Sequence, residues 1–306
     1  MNIAFIGLGG VGGFYGGKFA KLAETNDDLN VYFIARNQHL EAIKSNGLTI
    51  KLADRKEIVS KPYLATERIV DLPKIDVCFI CVKSYDLHDV LIQVKDKLHN
   101  RSRVIPLLNG ADIHERVRSV VTNAIVYPAC VYISTYIEKP GVVIQTTPRA
   151  KIVLGPDPAH PEDVPTKLLT YLDTMNLTYD WTEKVFEEIW KKYLFIAPFS
   201  LVTASNDKSI RQIYEDEVLS RDTLGIMKEI VQIATKKGVT LTDDTMHNTF
   251  HSAKSLPHES TTSFQRDYSK PDKQNEKEIF GQVIIDMGKE FGVPTPMTEK
   301  VFSLLR

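Results

Sequence analysis

The sequence predicts an α/β domain built on a parallel sheet, followed by an all-α domain. Three observations carry this reading. Short β-branched runs alternate with amphipathic stretches through the first half, the order that a parallel sheet covered by helices demands. A glycine-rich turn follows the first of those runs: of sixteen glycines, seven (Gly7, Gly9, Gly10, Gly12, Gly13, Gly16, Gly17) fall within the first seventeen residues. From about Val185 the apolar spacing becomes long and helical, as in Ile189, Tyr193 and Ile196, or Ile226, Ile230 and Ala234.

Taken in order, strands are expected at 2–6 (NIAFI), 30–35 (NVYFIA), 76–82 (DVCFICV) and 103–108 (RVIPLL), with helices near 10–23, 38–45, 85–97 and 112–120. Further β-like runs at 125–136, 141–146 and 151–155 are crossed by the turn signal Lys139-Pro140-Gly141 and read as antiparallel strands added to that sheet. The change of periodicity places a boundary near residue 182, dividing the chain into 1–182 and 183–306. The polar run 266–278 (RDYSKPDKQNEKE) reads as a surface connection. A cleft between two such domains is a common place for a ligand.

Composition narrows the function. With 38 basic against 39 acidic side chains in 306 residues, the chain lacks the basic excess of a nucleic-acid or membrane-surface protein. Small molecules are the expected partners, with a homodimer as the candidate assembly. The three cysteines, Cys78, Cys81 and Cys130, are too few for a secreted disulfide framework. Residues 1–17 lack the basic n-region and cleavage site of a secretory signal, and no stretch reaches the eighteen or so apolar residues of a membrane span. The expectation is a soluble cytoplasmic protein.

Gly7-Leu8-Gly9-Gly10-Val11-Gly12 fits GxGxxG in its required context, after a strand and opening a helix. The first glycine permits the tight turn, the second lets the backbone approach a pyrophosphate, and the third allows close helix–strand packing. The anion then meets free N–H groups at a helix N-terminus. An NAD site places Asp or Glu at the end of the second strand, to accept from the ribose 2′-hydroxyl. Here Arg36 stands there, a cation whose fork suits a 2′-phosphate, so NADP(H) is the expected cofactor. Lys83 and Asn109 follow the third and fourth strands and project from the carboxyl edge of the sheet. Either alone reads equally as a loop residue, but with the glycine turn they form a coherent site.

These residues resemble the ketopantoate reductase (2-dehydropantoate 2-reductase) family. The matching segments are IGLGGVGGFYG at 6–16, ARNQHLEAIKSNGL at 35–48, CVKSYDL at 81–87 and LLNGAD at 107–112, then IWKKYLF at 189–195, MKEIVQIATKKGV at 227–239 and GQVIIDMGKEFGVPTP at 281–296. The resemblance implies a Rossmann-type dinucleotide-binding domain joined to a helical substrate domain like the C-terminal domain of 6-phosphogluconate dehydrogenase. It further implies NADPH-dependent reduction of a small 2-oxo acid, 2-dehydropantoate to pantoate, in pantothenate biosynthesis.

In that family a lysine in a Trp-x-Lys-Leu element is the general acid, which maps onto Trp190-Lys191-Lys192-Tyr193 and makes Lys192 the candidate. Hydride addition to a ketone builds negative charge on oxygen, and a nearby ammonium both stabilises that charge and donates the proton. A free lysine titrates near 10.4, so it is already the acid form at neutral pH. Lys191 points about 100° away on a helix, so one of the two faces the site. By the same resemblance Asn109 orients the lysine or the cofactor, Lys83 contacts the cofactor ribose, and Ser263 holds the substrate carboxylate. The family places asparagines four and eight residues after the lysine, where this chain has Ile196 and Ser200. It places a glutamate six residues before the glycine matched by Gly281, where this chain has Asn275, with Glu276 next to it. Ser200, Asn275 and Glu276 are therefore the candidates at the substrate, and their departures argue for an altered ligand.

Other features read as structural. Cys78-Phe79-Ile80-Cys81 has CxxC spacing inside a predicted buried strand, with no second pair. His247 and His251 share a helical face but lack a third metal ligand. Pro198 is expected to kink the helix that follows Lys192. Two alternatives to ketopantoate reduction stay open: a reductase of a more apolar keto acid, suggested by Ile196 and Ser200, and a non-catalytic NADP(H) sensor.

Overall fold

The structure, a computed structural model, describes residues 1–270 and 274–305. It divides into two compact units, Met1–Leu108 with Asp112–Val185, and Asn109–Ala111 with Phe186 onward. Beyond residue 182 the chain is still tied to the first unit: Thr182 N donates to Leu154 O at 3.0 Å, and a Cβ on Gly155 would meet the Val185 side chain.

The strands are β1 Asn2–Ile6, β2 Asn30–Ile34, β3 Leu48–Lys51, β4 Glu57–Ser60, β5 Leu64–Thr66, β6 Val77–Ile80, β7 Arg103–Pro106, β8 Ile125–Val126, β9 Ala129–Lys139, β10 Val142–Leu154 and β11 Thr178–Trp181. The helices of this unit are α1 Gly10–Ala23, α2 Asn37–Asn46, α3 Leu87–Val94, α4 Ile113–Arg118 and α5 Thr166–Thr174. Six parallel strands run in the order β5-β2-β1-β6-β7-β8, the doubly wound arrangement. Their apolar runs are buried on both faces, as such a sheet requires; Phe5 on β1 stacks on Phe79 of β6 with ring centroids 4.6 Å apart.

The expectation that the later β-like runs extend this sheet is corrected. Only β8 joins it, and in parallel. The strands β9 and β10 form a long hairpin through Lys139-Pro140-Gly141, Gly141 taking φ +77°. That hairpin belongs to a second sheet, β11-β10-β3-β4 with β9 on β10. The reason lies in α1. A Cβ on Gly16 would lie 3.0 Å from Phe33 Cε1 of the parallel sheet, whereas one on Gly13 or Gly17 would lie 2.6 Å from Val143 Cγ2 or Ile50 Cδ1 of the second. The helix is clamped between two sheets, and strands packed on its outer face are not available to extend the sheet on its inner one.

The second unit is helical, with α6 Val185–Asn206, α7 Ile210–Glu215, α8 Glu217–Lys236, α9 Asp243–Ser252, α10 Ser263–Tyr268, a π-helical turn Glu278–Gln282, α11 Val283–Phe291 and α12 Pro296–Phe302. Side chains cap four of these helices: Ser209 in a capping box with Gln212, then Asp216, Thr242 and Thr262. The buried Glu229 of α8 accepts from Met297 N at 2.6 Å and Thr298 N at 2.9 Å, fixing the start of α12. Helix α6 is continuous through Pro198. The polar run 266–278 is not wholly a surface connection: 266–268 close α10 and Glu276 is buried, while 271–273 lie outside the described residues. Among the described residues no helix is long and apolar enough to cross a membrane.

Candidate active site

The glycine turn is built by the strand before it and the helix after it. Gly7 leaves β1 with φ +93°, and a Cβ there would meet Val82 Cγ1 at 2.8 Å. A Cβ on Gly12 would stand 2.0 Å from the Gly7 carbonyl oxygen, and one on Gly10 would meet the Thr135 backbone at 2.7 Å. Gly9 is different, because a Cβ there meets nothing within 4 Å. Leu8 is buried and Val11 half-buried, so this short arc holds its backbone toward open space at Gly9. Unlike the four capped helices, α1 has no side-chain cap on Gly9 and no acidic residue in its first turn. Uncapped N–H groups at the positive end of a fourteen-residue helix, with room for a ligand beside Gly9, fit a pyrophosphate.

Behind the turn, His39 Nδ1 accepts from Gly141 N at 3.0 Å, tying α2 to the β9–β10 hairpin. Burial lowers the His39 pKa, which keeps the ring in the neutral form that this bond requires.

Arg36 occupies the N-cap position of α2, just beyond β2, with its side chain largely exposed. Its guanidinium donates to the Asp86 carboxylate. Lys83 is half-buried just beyond β6 and opens the short turn Ser84–Asp86, its carbonyl accepting from Asp86 N at 3.0 Å. Sequence reasoning does not single out Asp86. The only signal was a carboxylate three residues after Lys83, and its pairing depends on loops from two different strands.

In the second unit, Lys192 Nζ donates to Asn109 Oδ1 at 2.7 Å, joining residues 83 apart in the chain. Gly110, next to Asn109, takes φ +137°, a turn conformation that glycine permits. Lys191 points elsewhere: it is exposed and within 3.9 Å of Glu188. Tyr193 OH donates to Ile279 O at 2.6 Å, which docks the π-helical turn on α6 one residue past the lysine. Three residues before Ile279 lies Glu276, 6% exposed. Asn275, in contrast, turns its Oδ1 back to accept from Lys277 N at 3.1 Å. Asn275 thus closes a local turn ahead of Lys277, and Glu276 is the residue buried beside it. Ile196 is half-buried and Ser200 is 2% exposed, while Ser263 is exposed at the first position of α10.

The remaining motifs keep structural places. Cys78 lies inside β6 and Cys81 just past it; burial pushes both thiols well above the usual thiol range. His251 Nδ1 is 3.1 Å from Tyr214 OH, and its ring stacks on that of His247.

Residues 3–159 match the family described as ketopantoate reductase PanE/ApbA, and residues 184–306 match its C-terminal counterpart. Among curated relatives, the uncharacterized oxidoreductase YkpB of Bacillus subtilis is 24% identical over 306 residues, covering 100% of this chain and 98% of that one. A 2-dehydropantoate 2-reductase of Streptococcus pyogenes is 22% identical over 307 residues, covering 100% and 97%. Among solved structures, a PanE/ApbA family ketopantoate reductase from Ralstonia eutropha superposes with a TM-score of 0.88 at 24% identity, covering 100% and 97%. The chain belongs to the ketopantoate reductase family, and is an NADP-dependent oxidoreductase that reduces a 2-keto acid.

Proposed function

We propose that the substrate is 2-dehydropantoate, reduced to pantoate, with Lys192 as the general acid and Asn109 as the residue that holds it. The observation that carries this reading is the 2.7 Å hydrogen bond between Lys192 Nζ and Asn109 Oδ1. A charge-assisted bond of this kind fixes one of the most flexible side chains in proteins, so that its ammonium is held in one place to meet a ketone oxygen. The ammonium stabilises the developing alkoxide and then gives it a proton. Glu276 is the carboxylate for the substrate hydroxyl and Ser263 the donor for its carboxylate, with Ser200 on the same helix as Lys192. In the other unit, the backbone of Gly7, Leu8, Gly9, Gly10, Val11 and Gly12 holds the pyrophosphate, Arg36 the 2′-phosphate and Lys83 the ribose. The bound nicotinamide supplies the hydride.

A second reading, a more apolar 2-oxo acid, is favoured by Ile196 and Ser200. They stand one and two helical turns beyond Lys192, where side-chain amides would serve a polar substrate better. Purified protein with NADPH and a panel of 2-oxo acids, followed at the nicotinamide absorbance band, tests both. The first reading expects the highest kcat/KM for 2-dehydropantoate. A higher value for an aliphatic or aromatic 2-oxo acid lacking the hydroxyl replaces it with the second. NADPH binding without oxidation by any member of the panel refutes both.

A further inference from the structure

We propose that Asp86 sets the cofactor preference of this chain, so that it accepts NADH alongside NADPH. The inference rests on the reading that Arg36 faces the ribose 2′ position. The strands β2 and β6 flank β1 in the parallel sheet, so the loops that follow them lie on either side of the glycine turn. Arg36 comes from one of these loops and Asp86 from the other, and they meet as an ion pair. The site usual for NAD takes its acidic residue from the end of the second strand. Here that position holds a cation, and a carboxylate reaches it from across β1.

The pair offers two recognition groups at one place. A 2′-phosphate is a strong acceptor that the Arg36 guanidinium can grip, but only in competition with the carboxylate already bound to it. A carboxylate in contact with that guanidinium also places like charge beside the phosphate. A free 2′-hydroxyl, in contrast, is a donor, and Asp86 is its acceptor while Arg36 holds the carboxylate in place. Neither cofactor then finds an ideal site, and the preference between them is narrow.

Calorimetric titration of the full-length protein with NADPH and with NADH, before and after Asp86→Asn, measures this without turnover. The side chain of Asp86 makes no capping hydrogen bond to α3, so the isosteric amide leaves that helix intact. Releasing an exposed ion pair is expected to tighten NADPH about threefold. Losing a charged acceptor for the 2′-hydroxyl is expected to weaken NADH about tenfold. The NADH-to-NADPH ratio of dissociation constants therefore rises. An unchanged or falling ratio overturns the proposal. Arg36→Ala, titrated in parallel, separates the two layers. A loss confined to NADPH supports the 2′ assignment, and an unmoved ratio in Asp86→Asn then sinks the role of Asp86 alone. An equal loss of both cofactors removes the 2′ assignment and the proposal with it.

Discussion

Replacing Asn109 by Ala, alone and together with Lys192→Ala, asks whether the amide works through the lysine. The bond from Lys192 Nζ to Asn109 Oδ1 is 2.7 Å long and has an ionised donor, a class worth about 1.5–3 kcal/mol. If that energy serves to hold the ammonium where charge develops on the ketone oxygen, its loss lowers kcat/KM about 10- to 150-fold, at one decade per 1.4 kcal/mol. Lys192→Ala removes the proposed acid and is expected to cost about 10²–10⁴-fold. In the double variant there is no ammonium left to hold, so it falls no further than Lys192→Ala, and the cycle shows a coupling of about 1.5–3 kcal/mol. The assay is initial-rate NADPH oxidation by the four proteins, with NADPH dissociation constants measured in parallel. Losses that multiply in the double variant refute the positioning argument. If they come with weaker NADPH binding by Asn109→Ala, the amide serves the cofactor instead.

Three further outcomes follow from the geometry. Gly9→Ala fills open space at φ −68°, so stability stays within about 1 kcal/mol while NADPH affinity drops; Gly12→Ala must displace the Gly7 carbonyl and costs about 1–3 kcal/mol of stability. Thermal melts and cofactor titrations of the two variants check this, and matching profiles count against the assigned roles. Burial holds the pKa of His39 and His114 below the ordinary value near 6.5, so below that pH the unfolded chain binds protons that the folded chain does not, and stability falls with acidification. Urea titrations at pH 7.5 and 5.5 on wild type and His39→Asn read the slope, which the variant should flatten. Glu276→Gln raises KM for the keto acid with little change in melting temperature, whereas Asn275→Ala, which loses the acceptor for Lys277 N, costs about 1 kcal/mol of stability and spares KM; the reverse pattern would return the substrate role to Asn275.

What the sequence made legible is what local spacing encodes. The strand, turn and helix around Gly7–Gly12 announce themselves because each requirement falls within a dozen residues, and Arg36 is found by counting to the end of the next strand. The second sheet was not legible. The strands β3 and β4 have four residues each, too short for an alternation to stand out, and the strand that ties them to the rest of the sheet, β10, lies about ninety residues on. The same limit applies to the site. Lys192 has the spacing of any helix lysine, and only the family resemblance raised it; that it meets Asn109 is a product of tertiary structure. Asn275 and Glu276 differ by one position, and which of them is buried depends on how the segment enters its helical turn.

The glycines show why a motif read for one purpose can answer to two. The turn motif accounts for Gly7, Gly9 and Gly12, yet Gly13, Gly16 and Gly17 follow it along α1. They are small because the helix is clamped between two sheets, with Cβ positions only 2.6–3.0 Å from Val143, Phe33 and Ile50. The two demands are linked. An anion at a helix N-terminus is stabilised by N–H groups that must stay aimed at one point, and a helix packed on one face only can rock about that face. Close contact on both sides restrains that freedom, so the later glycines would serve a phosphate bound at Gly9 indirectly, by holding the helix still. On this argument Gly13→Leu or Gly17→Leu should weaken NADPH binding as well as stability. A variant that melts earlier yet binds NADPH with unchanged affinity would separate the two roles again.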